Sequence, residues 1–87
     1  MKVIAKPSFE RDLKKLSKKI QLQVLEVYMD LKSAENLSEI VKVKKMMGYK
    51  DAYRVKIGDF RLGFFIDEDE VILARILNRK DIYKFFP

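Results

Sequence analysis

The stretch Tyr53 to Phe65, YRVKIGDFRLGFF, restricts what this chain can fold into more than any other. Tyr53, Val55 and Ile57 alternate with Arg54 and Lys56, and Phe60, Leu62, Phe64 and Ile66 alternate with Arg61, Gly63 and Phe65. A period of two is that of a strand with one face buried, because successive side chains point to opposite sides. Gly58-Asp59 between the two runs suits a two-residue hairpin turn, where a positive φ is required. If the apolar sets share a face, Arg54, Lys56 and Arg61 share the other. A sheet face with three fixed cations and little acid between them is a surface for a polyanion.

The other segments fit around this hairpin. Met1 to Lys6 contains Val3 and Ile4 and is β-compatible; Pro7 ends it, since proline cannot donate to a ladder. Ser8 is a candidate N-cap for a helix from Phe9 to about Leu16, with Phe9, Leu13 and Leu16 on one face. A break near Ser17 to Lys19 leads to a second helix, from Lys19 to Ala34. Its stripe is Ile20, Val24, Val27, Tyr28 and Leu31, and Leu22, Leu25 and Met29 widen it, which predicts burial on more than one side. Ser33 to Ser38 is a polar connector. Ile40 to Met47 reads as a basic loop or short edge segment. Asp67 to Glu70 is an acidic turn. Val71 to Leu77 is almost continuously apolar, as in a central strand covered on much of both faces. Asn78-Arg79-Lys80-Asp81 leaves that strand, and Ile82, Tyr83, Phe85 and Phe86 form a short aromatic tail, expected to be mobile, with Phe85 and Phe86 assigned to packing. The order is β-α-α-β-β-β. It predicts one α+β domain over residues 1–87, a helical hairpin packed on a mainly antiparallel sheet with a short C-terminal tail.

Composition narrows the chemistry. The chain of 87 residues has no cysteine and no histidine. Disulfides and thiolate metal sites are excluded, and so is the usual general base near neutral pH. We expect neither a metal nor a cofactor. Lys and Arg number 19 against 13 Asp and Glu, a net charge of +6, which favours an anionic partner. No apolar run approaches the ~20 residues of a membrane span, and the first ten residues lack a signal-peptide pattern, so the cytoplasm is the expected location and no membrane partner is expected. Arg75 interrupts an apolar strand. It either pairs with a carboxylate or lines a polar cleft with Arg54 and Arg61; both readings stand. Lys42, Lys44, Lys45 and Lys50 read first as solubilising charges. Tyr83 is a core filler or a ring that stacks on a base. A cationic face beside an aromatic tail suggests single-stranded RNA.

The two segments Tyr53-Arg54-Val55-Lys56-Ile57-Gly58-Asp59-Phe60-Arg61 and Arg75-Ile76-Leu77-Asn78-Arg79-Lys80-Asp81-Ile82-Tyr83 resemble the RelE/ParE superfamily of toxins, and the resemblance runs over the whole chain. It implies the RelE-like fold and, in the RelE branch, ribosome-dependent cleavage of mRNA without a metal. The ribose 2′-OH attacks the adjacent phosphate, leaving a 2′,3′-cyclic phosphate and a free 5′-OH. The resemblance implies Lys56 as general base or charge stabiliser and Arg61 at the scissile phosphate. It implies Arg79 as a further arginine and Tyr83 on the substrate base. Arg54 stands where the RelE type has a second lysine, and Asn78 where many relatives have histidine. Arg54, Arg75, Lys80 and Lys50 are the candidate substrate contacts. The implied partners are the ribosome with its mRNA and a cognate acidic antitoxin in a hetero-oligomer. Two other functions remain open: a ParE-like inhibitor of DNA gyrase, and a non-toxic RNA- or protein-binding module.

Overall fold

A computed structural model describes residues 1–40 and 42–87. The hairpin forms as the alternation predicts. Strand β3 (Ala52–Ile57) pairs antiparallel with β4 (Phe60–Asp67), and Ile57 opposes Phe60 across the turn. Gly58 takes φ +60°, the region that glycine enters without a Cβ clash. The other elements are β1 (Lys2–Ala5), α1 (Pro7–Lys14), α2 (Lys18–Ser33), β2 (Val43–Lys45), β5 (Glu70–Asn78) and α3 (Ile82–Phe85), with a 3-10 turn at Leu37–Glu39. The sheet order is β1-β5-β4-β3-β2; only the β1–β5 pair is parallel. The architecture is the α+β fold read from the sequence, with one more strand. The segment Ile40 to Met47 carries the three-residue edge strand β2; Val41 lies outside the described residues.

Helices α1 and α2 cover one sheet face. Phe9, Val24 and Leu31 meet Val55, Leu62, Phe64, Leu73 and Ile76 in the main core. The start of α1 corrects the sequence reading. Pro7 occupies the first turn, where its missing N–H costs nothing and its φ is preset. Ser8 is not the cap: the capping position is Lys6, without a side-chain bond. Instead the Ser8 hydroxyl donates to the Ala74 carbonyl at 2.7 Å. The reason lies in the sheet. Strand β1 stops at Ala5, so β5 beyond Leu73 has no strand on that side. Its polar groups still need partners. The Lys6 N–H donates to the Leu73 carbonyl, Ser8 serves Ala74, and the Asp12 carboxylate accepts from the Ile76 N–H at 3.1 Å. One helix face thus finishes the ladder that β1 began. Ser17 caps α2, accepting from the Ile20 N–H, where the break between the helices was expected.

Leu22, Leu25 and Met29 were expected inside, and all three are exposed. Only one side of α2 meets the sheet, through Val24 and Leu31, and the widened stripe turns away from it.

The aromatic tail is docked rather than mobile. Ile82 and Phe86 are buried with Met46, Ala52 and Ala74 in a second small core on the sheet face opposite the helices. Phe85, assigned to packing, is exposed. A bulge at Gly63/Phe64 leaves Ala74 out of register, so β5 can send Leu73 and Ile76 to the main core and Ala74 to the second. Phe86 lies flat over Gly63: a Cβ there would come within 2.5 to 2.8 Å of three ring atoms. Gly63→Ala is therefore expected to lift Phe86 and destabilise the domain by about 1–3 kcal/mol, the usual cost of overpacking. Thermal unfolding checks it; an unchanged midpoint would refute the contact.

Candidate active site

The pairing of β2, β3 and β4 gathers the cations. Lys44 opposes Arg54 and Lys56 opposes Arg61. Directly opposed side chains on antiparallel strands share a face. Because Val55, Ile57 and Leu62 point into the main core, this face is the one away from the helices. With Lys42, the four groups line an open concavity of about 370 Å³ in which no acidic side chain takes part. Like charges set opposite each other cost stability. Two such pairs lie side by side here, and neither of the ion pairs found among the described residues, Lys2–Glu70 and Asp12–Arg75, involves them. The arrangement concentrates positive charge on one face of the sheet.

The cluster is held in place. Nη1 of Arg61 donates to the Gly58 and Phe60 carbonyls, both at 2.9 Å, which fixes the guanidinium against the hairpin turn. The Arg54 guanidinium carbon sits 5.5 Å from the ring centroid of Tyr83, within cation–π range. Arg54 also joins two hollows, lining the cationic one and a neighbouring one of about 520 Å³ together with Tyr83. Tyr83 is 58% exposed. Its neighbours Ile82 and Phe86, buried in the second core, keep its ring beside Arg54.

The remaining candidates divide. The Arg79 N–H donates to the Asp59 carbonyl at 2.9 Å, which joins the end of β5 to the hairpin turn. Arg79 is thus at the Lys56–Arg61 end of the sheet, exposed, and lines neither hollow. Lys80 is exposed in the same turn, where its N–H donates to the Asn78 side chain. Lys50 is exposed on the loop between β2 and β3. Arg75 is not part of the cationic cluster. Its Nε and Nη2 donate to the two carboxylate oxygens of Asp12 at 2.7 and 3.1 Å. Of its two readings the ion pair is the one the geometry has. That hydrogen bond, with the Asp12 charge behind it, raises the affinity of the Arg75 guanidinium for its proton despite burial. Sequence reasoning set Lys42 and Lys44 aside as solubilising charges, yet both line the cationic hollow. The Val43/Lys44 alternation was the available signal.

The sequence profile of the family described as ParE toxin of type II toxin-antitoxin system, parDE, matches residues 3–83. The chain belongs to this family. The match and the fold together make it a toxin of the RelE/ParE superfamily. Toxin RelE3 of Methanocaldococcus jannaschii is 32% identical over 88 residues, with both chains covered in full. Among solved structures, this toxin superposes on the RelB–RelE antitoxin–toxin complex from Methanococcus jannaschii with a TM-score of 0.83 and 28% identity, covering 97% of this chain and 99% of that one. The archaeal RelE–RelB complex from Pyrococcus horikoshii shares the fold at a TM-score of 0.74 and 22% identity, over 90% and 93% of the two chains. Among the described residues of the toxin, no helix is long and apolar enough to cross a membrane.

Proposed function

We propose that this toxin stops translation in the cytoplasm by cutting mRNA on the ribosome, through attack of a ribose 2′-OH on the adjacent phosphate. The observation that carries the reading is the acid-free hollow of Lys44, Arg54, Lys56 and Arg61, with Tyr83 at its border. The chemistry asks for a group that takes the 2′-OH proton, cations facing the developing charge on phosphorus, and a grip on the base. Lys56 is assigned the first task. Arg61 and Arg54 meet the phosphate oxygens, Arg79 adds charge at the same end, and Tyr83 holds the base. The 2′ oxygen bonds to phosphorus as the P–O5′ bond breaks. The products are a 2′,3′-cyclic phosphate and a 5′ oxygen that takes its proton from solvent. Lys50 and Lys80 flank the site as contacts for neighbouring phosphates. No metal or cofactor has a role.

The M. jannaschii RelE structure is a complex with an antitoxin. We extend that to this chain as a cognate antitoxin, acidic because a cationic face recruits opposite charge. The ParE description of the family supports a second reading, inhibition of DNA gyrase by binding.

The test adds purified toxin to a translation reaction and maps the mRNA ends. New 5′ ends inside the coding region are expected. They should accept an adaptor only after phosphorylation, and their 3′ partners only after the cyclic phosphate is removed. Intact messages together with inhibited supercoiling by gyrase would replace the first reading with the second.

A further inference from the structure

The chemistry proposed above uses only Lys50 of the loop between β2 and β3 and leaves its apolar side chains without a role. Met47 is 96% exposed and Tyr49 is 49% exposed. Gly48 between them takes φ +83°, which turns the chain sharply at the tip. Apolar side chains of this size in open water gain free energy from any flat apolar partner. The loop is not loosely attached. Met46 is buried in the same small core as Ile82 and Phe86, and its N–H donates to the Ala52 carbonyl at 2.8 Å. The loop and α3 are therefore tied to one base, and Met47, Tyr49 and Tyr83 face one hollow. Met47 and Tyr49 line the roughly 520 Å³ concavity together with Tyr83, Arg54 and Lys44, and no acidic side chain lines it.

We propose that this second hollow is a binding site for an unpaired nucleobase, with Tyr49 as a stacking residue and Met47 as an apolar wall opposite the α3 side. The inference rests on the RNA reading above. Arg54 lines both hollows, so a strand whose phosphate lies among Lys56 and Arg61 carries its neighbouring base directly into the second one. An aromatic ring, a thioether and flanking cations suit the π-face of a base and its phosphate. A paired base does not fit this arrangement, because its faces are already stacked in the duplex. The site therefore selects single strands, and its walls set which bases are accepted.

The experiment measures binding of a fluorescein-labelled 2′-O-methyl RNA octamer, which cannot be cleaved, by anisotropy at fixed low salt. Tyr49→Ala is expected to weaken binding about fivefold or more, the scale of one lost stacking partner. Tyr49→Phe should stay within about twofold, since the ring is retained. A labelled blunt-ended RNA duplex, which has no unpaired bases, should bind Tyr49→Ala and wild type alike. Tyr49 lies on an exposed loop, and unchanged thermal midpoints confirm that the variants are folded. Equal octamer affinity for wild type and Tyr49→Ala overturns the proposal, as does an octamer that wild type fails to bind. Nuclease function is read separately. Tyr49-dependent binding with no mRNA fragments on ribosomes would keep this site and discard the cleavage reaction.

Discussion

Asp12→Ala is expected to be the most damaging single change in this domain. Asp12 is 8% exposed and holds three donors at once: Nε and Nη2 of Arg75 and the backbone N–H of Ile76. Removing it leaves a guanidinium without its counter-charge on an otherwise apolar strand and a buried amide without an acceptor. Breaking a buried pair from one side costs about 3–5 kcal/mol. Arg75 keeps some access to water, which places the loss near the low end, about 3 kcal/mol. In a domain this size that corresponds to roughly 12–24 °C in the unfolding midpoint. Asp12→Asn retains an acceptor and the shape but loses the charge, so its loss should be about half. If Asp12→Ala unfolds within about 2 °C of wild type, the role given to α1 in completing the β5 edge is wrong.

That role also shows where the sequence stops being legible. The alternation around Gly58-Asp59 identified both strands, their turn and the shared face of Arg54, Lys56 and Arg61, because a period of two is local information. The partner of Arg75 was not local. Asp12 is 63 positions away, and nothing in Pro7 to Lys14 marks one carboxylate as the one that faces a sheet edge. Ser8 misled for the same reason. Its position after Pro7 is that of a cap, and only the early end of β1 explains why its hydroxyl is needed elsewhere. Leu22, Leu25 and Met29 show a different limit. Hydrophobicity reports what a side chain would gain from burial, not whether a second layer is there to bury it.

The candidate site divides along the same line. Cross-strand neighbours followed from the hairpin register, so Lys56 and Arg61 were readable as a pair. Lys44 was not, because its placement depends on β2, a three-residue strand whose pattern alone does not distinguish it from a loop. Tyr83 was readable as a residue of interest, but its place beside Arg54 depends on Phe86 lying over Gly63, a contact between a missing side chain and a distant ring. Met47 and Tyr49 could have been noticed as large apolar residues around a glycine in a basic stretch. What joins them to Tyr83 is the shared anchoring of Met46, Ile82 and Phe86, which is tertiary.

Lys56→Ala tests the catalytic reading most sharply, because activity and stability should move in opposite directions. Lys56 is exposed and faces Arg61 across the strands. Its removal relieves a like-charge pair, so stability should stay level or rise slightly, by about a few tenths of a kcal/mol, and the thermal midpoint should not fall. If Lys56 takes the 2′-OH proton, the rate of mRNA cleavage on ribosomes should fall by about 10²- to 10⁴-fold. A residue kept for folding would behave in the reverse way, and sites that trade stability for chemistry behave as expected here. Lys56→Arg separates the two roles open to this side chain. An arginine retains the positive charge but gives up its proton too reluctantly to serve as a base. Recovery of most of the rate in Lys56→Arg would make Lys56 a charge stabiliser for the phosphate, alongside Arg61. A rate as low as that of Lys56→Ala would make it the base. Cleavage by Lys56→Ala at the wild-type rate would remove Lys56 from the reaction and, with it, the reading that the cationic hollow is a nuclease centre.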